Sequence, residues 1–192
     1  MEYSKKLSED LAKNMDLILT ENQELSKKID VNELITLVDY IQKAPRIFLV
    51  ATGRSGFALR GTAMRLMHLG LTVYFVGDTT TPAINENDLL IAASGSGTTA
   101  SIVRAAEKSI SVKAKVFAIT TDSQSALAQL ASAKVIVPAQ GKQDFEGGKS
   151  KQYAGSLFEQ FLLLMMDAVF QSLWKLDGSV PEELWARHAN LE

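Results

Sequence analysis

The chain has 192 residues, 46% hydrophobic and 22% charged, so it can form one sizeable core and is unlike disordered or fibrous proteins. A formal net charge of -2 argues against a nucleic-acid binder that works through a broad basic face, and the lack of cysteine excludes disulfides and thiolate metal sites. The charged N-terminus has no apolar segment of the signal-peptide type, so the sequence predicts a cytoplasmic protein without a membrane partner.

Two amphipathic helices are predicted at the start of the chain. Apolar residues recur at helical spacing in residues 4–20 and again in residues 31–43. Asp30 followed by Glu33 resembles a capping box at the start of the second helix. Neither helix has the basic face of a DNA-recognition helix, which disfavours a nucleic-acid partner.

Five short apolar runs follow, rich in β-branched residues and without polar alternation. They are residues 46–51, 72–77, 88–93, 115–120 and 134–139. Such runs suit strands covered on both faces, as in a parallel sheet. Helical patterns separate most of the runs, which predicts an α/β fold of the doubly wound type, a five-stranded parallel sheet flanked by helices. Residues 78–87 have no room for a full helix, but an extended segment of that length can still cross a neighbouring strand.

The last part of the chain combines a polar loop with a long apolar helix. Residues 140–153 are polar and contain glycine, and we interpret them as a surface loop and candidate lid. The helix predicted at about 155–176 is apolar on most of its faces, which favours a homo-oligomer. We expect residues 1–192 to form one domain, with helices 1–43 and the tail 181–192 packing on it or on a neighbouring subunit.

Two polar loops lie between a predicted strand and a predicted helix. They carry Gly53, Arg54 and Ser55, and Ser94, Gly95, Ser96, Gly97, Thr98 and Thr99. Backbone N–H groups and hydroxyls in such loops converge on the positive end of a helix dipole, where anions bind well. In a sheet of order 2-1-3-4-5 both loops would meet at the ligand-binding switch point. An ordinary capped turn is the alternative for one loop, but the pair favours a phosphate site.

A dinucleotide site is the minority hypothesis for the second loop. Residues 95–100 satisfy the pattern G-x-G-x-x-[GA]. That pattern normally opens the first strand–helix unit, and an acidic residue follows about 20 positions later. Asp122 ends the next predicted strand but lies 27 residues after Gly95. The density of hydroxyl groups also suits a phosphate monoester better than a pyrophosphate.

Three side chains are candidates for proton transfer. Glu159 belongs to the pattern Ser156-Leu157-Phe158-Glu159, so capping of its helix is the default interpretation, although an active site would need a base next to the polar loop. His68 lies near a predicted helix C-terminus, where the dipole favours a protonated imidazole, and we interpret it as structural. His188 lies in the tail, where loosely packed histidines are common.

The motifs resemble those of a known family. TGRSG and SGSGTT, each between a strand and a helix, resemble the sugar isomerase (SIS) domain, which binds phosphosugars. The finer set resembles the 6-phospho-3-hexuloisomerases over nearly the whole chain and in the same order. Its segments are GRSG, AMRLMHLG, VGDTTTPAI, DLLIAASGSGTT, GSLFEQ and the terminal RHANLE. Thr98 departs from the pattern, since it stands where that family has glutamate.

The resemblance implies a fold, an activity and a set of roles. The fold is a flavodoxin-like sheet of order 2-1-3-4-5 in a homotetramer, and the activity interconverts D-arabino-3-hexulose 6-phosphate and D-fructose 6-phosphate through a cis-enediol, without a cofactor or metal. Ser55 and residues 94–99 would hold the phosphate, Glu159 would be the base, and His188 would complete the site across a subunit boundary as a proton shuttle. Aldose–ketose isomerases of the same family and a non-catalytic phosphosugar sensor are the alternatives.

Overall fold

Five parallel strands form the centre of the protein in the computed structural model, which describes residues 2–142, 148 and 150–191. The strands are β1 (Ile47–Val50), β2 (Val73–Phe75), β3 (Leu89–Ala93), β4 (Lys115–Thr120) and β5 (Ala133–Ile136). Their order is β2-β1-β3-β4-β5, and every neighbouring pair is parallel. The predicted fold class and strand order are therefore confirmed, and each predicted run overlaps one strand.

The helices in the described part of the chain lie before, between and after the strands. They are α1 (Glu2–Ser26), α2 (Val31–Lys43), α3 (Gly53–His68), α4 (Ala100–Ser111), α5 (Ala126–Leu130), α6 (Ser156–Asp177) and α7 (Pro181–Trp185). Helix α6 is long and apolar enough to span a membrane by length and composition alone. Ten of its residues are buried inside the protein, however, as expected for a core helix.

Alternate residues of the central strands face two separate cores. In β1, Ile47 and Leu49 pack with α2, α3 and α6, whereas Phe48 and Val50 pack with α4 and α5. Because both faces of the sheet are covered, every position of this strand is buried. This two-sided burial explains the unbroken apolar runs in the sequence.

The loops after β1 and β3 lie side by side at the carboxyl edge of the sheet. The two strands are neighbours, and Val50 pairs with Ala92 near their carboxyl ends. Residues 78–87 connect β2 to β3 without a helix, as predicted. The chain therefore turns to opposite sides of the sheet at β1 and β3, which creates the switch point where ligands bind in open α/β sheets.

The start of α2 confirms one half of the predicted capping box. Asp30 is the N-cap, and its side chain accepts a hydrogen bond from the N–H of Asn32 at 2.9 Å. Glu33 instead accepts a hydrogen bond from the N–H of Ile136 at 2.8 Å. The carboxylate of Glu33 thus links α2 to the end of β5. It bonds to the N–H of Ile136 and not to the N–H of Asp30, as a capping box would require.

Helix α1 is longer than predicted, and its apolar face is exposed. It spans 25 residues. Among its described side chains, only Asn22 and Leu25 near its C-terminal end are buried. The exposed apolar face consists of Tyr3, Leu7, Leu11, Met15 and Leu19. Spacing of four residues places these side chains in one stripe along the helix.

Candidate active site

The loop between β3 and α4 is held together by its own hydroxyl groups. Ser94 is buried, accepts a hydrogen bond from the N–H of Gly97 at 3.1 Å and contacts the hydroxyl of Thr99 at 3.0 Å. Ser96 accepts hydrogen bonds from the N–H and the hydroxyl of Thr98 at 3.3 and 3.0 Å. Within the residues that the structure describes, the N–H groups of Ser96 and Thr99 donate to no protein acceptor. They are available to an anion at the N-terminus of α4.

The last residue of β4 and the residue after it form hydrogen bonds to this loop. The hydroxyls of Thr120 and Thr121 donate to the carbonyl of Gly95 at 3.1 and 2.8 Å. Gly97 has a φ of +62°, and a methyl group added to it would lie 2.0 Å from Oγ of Ser125. Position 97 therefore needs glycine for two reasons, the left-handed backbone and the lack of space.

We expect Gly97→Ala to lower the free energy of unfolding by about 1–3 kcal/mol more than Gly178→Ala, because the added methyl group overpacks the loop. Gly178 is a matched control, since its φ is +76° but a methyl group there would meet nothing within 4 Å. Urea unfolding of both variants measures the difference. Equal losses of stability would contradict the close contact with Ser125.

The residues predicted in the first polar loop form the first turn of α3. Gly53 has a φ of +60° and begins the helix, so it provides a left-handed turn after β1. The side chain of Arg54 extends to α6, where it donates to Oγ of Ser156 at 3.1 Å and lies 3.2 Å from Glu159. Ser55 is buried, and its hydroxyl has no hydrogen-bond partner in the described part of the chain.

The carboxylate of Glu159 is buried between two cations. Its side chain is only 7% exposed, with Oε2 at 3.2 Å from Nη1 of Arg54 and Oε1 at 3.1 Å from Nζ of Lys142. A buried charge is tolerated only when it is paired in this way. Glu159 also lines a cleft of ≈ 280 Å³, together with Arg54, Phe57, Ala58, Gln160 and Leu163. The carboxylate is therefore ion-paired at the edge of a cleft large enough to admit small-molecule groups.

The capping-box interpretation of Glu159 is wrong. The N-cap of α6 is Gly155, in the left-handed conformation with a φ of 76°, and Ser156 is already the first helical residue. Ser156 accepts a hydrogen bond from Arg54 and is not placed to cap the helix. Because the left-handed glycine shifts the helix start by one residue, the carboxylate of Glu159 contacts side chains from distant parts of the chain.

The hydroxyl-rich loop of residues 94–99 packs against the start of α6. A methyl group added at Gly95 would lie 3.4 Å from the ring of Phe158, which is an ordinary packing distance. Phe158 immediately precedes Glu159 in α6. The first turn of α6, which carries Phe158 and Glu159, therefore lies beside the hydroxyl-rich loop.

His188 lies far from Glu159 of the same chain. Its ring stacks on His68, with 3.9 Å between centroids, and lies 4.6 Å from the ring of Trp185. His68 ends α3, whereas Arg54, which contacts Glu159, begins it. The 14 positions between them correspond to about 21 Å of helix. One chain therefore does not bring the two predicted catalytic residues together.

The environment of His68 does not favour the charged imidazole that its place at a helix end suggested. Burial lowers the pKa of His68, and the neighbouring His188 and Arg65 lower it further. The side chain is only 2% exposed, so the cost of burying a charge exceeds the effect of the helix dipole. The neutral imidazole is favoured in the folded protein.

We expect stability to fall as the pH decreases below about 6.5, the ordinary pKa of histidine, because His68 then takes up a proton more readily in the unfolded chain. This contribution is fully present above that pH and is lost in the acid direction. Urea unfolding at pH 7.5 and pH 5.5 measures it. His68→Gln should reduce the difference between the two pH values, and an unchanged difference would assign the acid sensitivity to other groups.

Only part of the predicted lid can be compared with the structure. Residues 143–147 and 149 of the segment 140–153 lie outside the described residues, and the lid stays a prediction. The amide oxygen of Gln140 accepts a hydrogen bond from the N–H of Ser150 at 2.8 Å. This bond brings the two ends of the segment together.

Glu21 of α1 anchors the segment just before α6. Its carboxylate accepts hydrogen bonds from Oγ of Ser150 and the N–H of Lys151, both at 2.7 Å, and from Nε2 of Gln152 at 2.9 Å. Burial acts to raise the pKa of Glu21, but the hydrogen bonds from Lys151, Ser150 and Gln152 outweigh it and lower the pKa. The ionised carboxylate therefore fixes the approach of the chain to the candidate site.

Comparison with known proteins places this site in a family. The model of the SIS domain matches residues 40–164. A 3-hexulose-6-phosphate isomerase from Mycobacterium gastri is 49% identical over 188 residues, which cover 98% of this chain and 94% of the relative. A second one, from Bacillus subtilis, is 39% identical and covers 91% of this chain and 95% of the relative.

A solved structure with a similar fold carries the same function in its description as these two relatives. A crystal structure from Methanococcus jannaschii, for which a molecular function of 3-hexulose-6-phosphate isomerase was inferred, superposes with a TM-score of 0.79. It is 33% identical, and the match covers 94% of this chain and 99% of the other. The chain therefore belongs to the SIS domain family, in the branch that contains these relatives.

Proposed function

We propose that the protein is an isomerase that interconverts D-arabino-3-hexulose 6-phosphate and D-fructose 6-phosphate. The observation that carries the proposal is the buried carboxylate of Glu159 next to a hydroxyl-rich loop at the switch point of the sheet. Relatives of nearly equal length named 3-hexulose-6-phosphate isomerase support the choice of substrate.

The phosphate binds at the N-termini of α3 and α4 in this proposal. Ser55 and residues 94–99 supply hydroxyl and N–H donors, Gly53 allows close approach, and Arg54 adds a positive charge on the side of Glu159. Because the phosphate is remote from the reacting carbons, its binding energy can fix the position of carbons 2 and 3 against the base.

The chemistry requires proton transfers only. Glu159 removes the proton from carbon 2, a cis-enediol forms between carbons 2 and 3, and the proton returns to carbon 3. His188 moves protons between the two oxygens, since an imidazole has one ring nitrogen that can accept a proton and one that can donate. No electrons leave the substrate, so the reaction itself calls for neither a redox cofactor nor a metal.

The proposal includes a homotetramer, located in the cytoplasm. Within one chain Glu159 and His188 lie near opposite ends of α3, so a site that uses both needs a second subunit. His188 of a neighbouring subunit would complete the site of Glu159. The exposed apolar stripe of α1 supports assembly, as do exposed apolar side chains near the cleft. These are Phe57, Met64, Leu163 and Leu164 on α3 and α6.

Hydrogen exchange in heavy water tests the proposed reaction. We expect the purified, metal-stripped protein to introduce deuterium at carbon 3 of fructose 6-phosphate and to form a 3-hexulose phosphate, which NMR detects at separate positions. Label at carbon 1 would identify an aldose–ketose isomerase instead. Binding without any exchange would identify a phosphosugar sensor.

A further inference from the structure

Lys142 contacts the carboxylate of Glu159 from the side opposite Arg54. Each carboxylate oxygen has its own cation, Lys142 at 3.1 Å and Arg54 at 3.2 Å. The side chains of both cations are more than half exposed, whereas that of Glu159 is 7% exposed. The buried group is thus the carboxylate, and each cation is accessible to a molecule that enters from solvent.

The first carbons of the Lys142 side chain pack against the fold, whereas its ammonium end is exposed. The stem of its side chain passes over Gly155, where an added methyl group would lie 2.8 Å from Cγ. Close by, Gln140 is bonded to Ser150, which Glu21 of α1 holds in turn. The ammonium group therefore extends from an anchored part of the chain toward the first turn of α6.

The two cations differ in what they can do when the carboxylate changes its charge. Arg54 is also bonded to Ser156, and its planar guanidinium makes contacts in a fixed geometry. Lys142 carries a compact charge on a flexible stem, and Glu159 is the one carboxylate that it pairs with among the described residues. Of the two, Lys142 is the cation that can follow a charge as it moves.

Proton removal by Glu159 moves a negative charge from the protein to the sugar. The bond between carbon 2 and its hydrogen breaks, and the proton goes to a carboxylate oxygen. The electron pair forms the double bond between carbons 2 and 3, and the carbonyl pair of carbon 3 becomes a lone pair on its oxygen. The carboxylate becomes neutral while this oxygen becomes negative, so total charge is conserved and a cation beside both groups stabilises the product of the step.

We propose, on the basis of the isomerase function above, that Lys142 is a further catalytic residue, whose ammonium group moves from Glu159 to the enediolate oxygen as the proton is transferred. A reacting carbon lies about 3–3.5 Å from its base in a productive complex, and the carbonyl oxygen on carbon 3 is two bonds further away. Rotations of the lysine stem cover this distance. Lys142 transfers no proton in this step and acts by its charge.

Lys142→Met tests the proposal, because it removes the charge and retains a side chain of similar width. We expect turnover, and deuterium exchange at carbon 3, to fall about 100-fold, as when one oxyanion donor is removed from an enzyme. The affinity for fructose 6-phosphate, measured by calorimetry, should change less than threefold, about 0.6 kcal/mol. Lys142→Arg should recover part of the loss, since it restores the charge.

Lys151→Met is a matched control, because the side chain of Lys151 is exposed in the same segment and has the same charge. It should keep the turnover of the unchanged protein. Full exchange at carbon 3 by Lys142→Met would overturn the proposal, and so would a loss of affinity that equals the loss of kcat/KM, which would make Lys142 a phosphate ligand. If the unchanged protein itself catalyses no exchange, the proposed isomerase function fails instead.

Discussion

Glu159→Gln is expected to lower the turnover of fructose 6-phosphate by about 10²- to 10⁴-fold, the usual contribution of a positioned general base. The amide has nearly the shape of the carboxylate but cannot take the proton from carbon 3 of fructose 6-phosphate. Arg54 and Lys142 lose their partner, yet their side chains are 60% and 62% exposed, so water can solvate them and the fold should persist. Turnover is measured by NMR, and affinity for the sugar phosphate by calorimetry.

Glu107→Gln is the control for this experiment, because Glu107 is exposed on α4 and the charge change is the same. It should leave turnover unchanged. If Glu159→Gln also retained turnover, another group would be the base. If it bound sugar phosphate much more weakly, Glu159 would be a ligand of the sugar hydroxyls.

Mixed assemblies of Glu159→Gln chains and His188→Asn chains are expected to regain turnover that neither variant has alone. Within one chain the two residues lie near opposite ends of α3, so a site that uses both takes them from different subunits. With equal amounts and random mixing, about one quarter of the sites contain both unchanged side chains. Co-expression with two affinity tags isolates the mixed assemblies for the assay.

The reciprocal mixture separates the two possible arrangements. Unchanged chains mixed with chains that carry both substitutions should show about one quarter of full turnover when sites are shared, and about one half when each site lies within one chain. Recovery in the first mixture together with one quarter in the second would support a shared site. One half in the second mixture would place both residues in a single subunit.

The sheet could be predicted from the sequence because its signal is local. Strands buried on both faces need an apolar residue at every position, as in Ile47–Val50 and Leu89–Ala93, and such runs are visible without any knowledge of their partners. The strand order was implied by the resemblance to the SIS domain, and it brings the two polar loops to one switch point. The strands themselves depend on patterns within a few residues, whereas their order depends on motifs spread along the chain.

The environment of Glu159 could not be predicted in the same way. The pattern from Ser156 to Glu159 is a local signal for capping, but the left-handed Gly155 and cations from residues 54 and 142 decide its role. Lys142 was missed because nothing in its neighbourhood marks it. Thr120 and Thr121 could have been found, since hydroxyl residues at the end of a strand beside β3 are placed to support its loop.

The packing of the hydroxyl-rich loop determines which of its positions can vary without loss of stability. Gly97 is buried and in contact with Ser125, whereas the side chains of Ser96 and Thr98 are exposed. Thr98 stands where the resemblance implies glutamate, and the hydroxyl of its exposed side chain bonds to the exposed side chain of Ser96 at 3.0 Å. Libraries that vary positions 96 and 98 are therefore expected to retain the fold, whereas a side chain at position 97 would overlap Ser125 and lower stability.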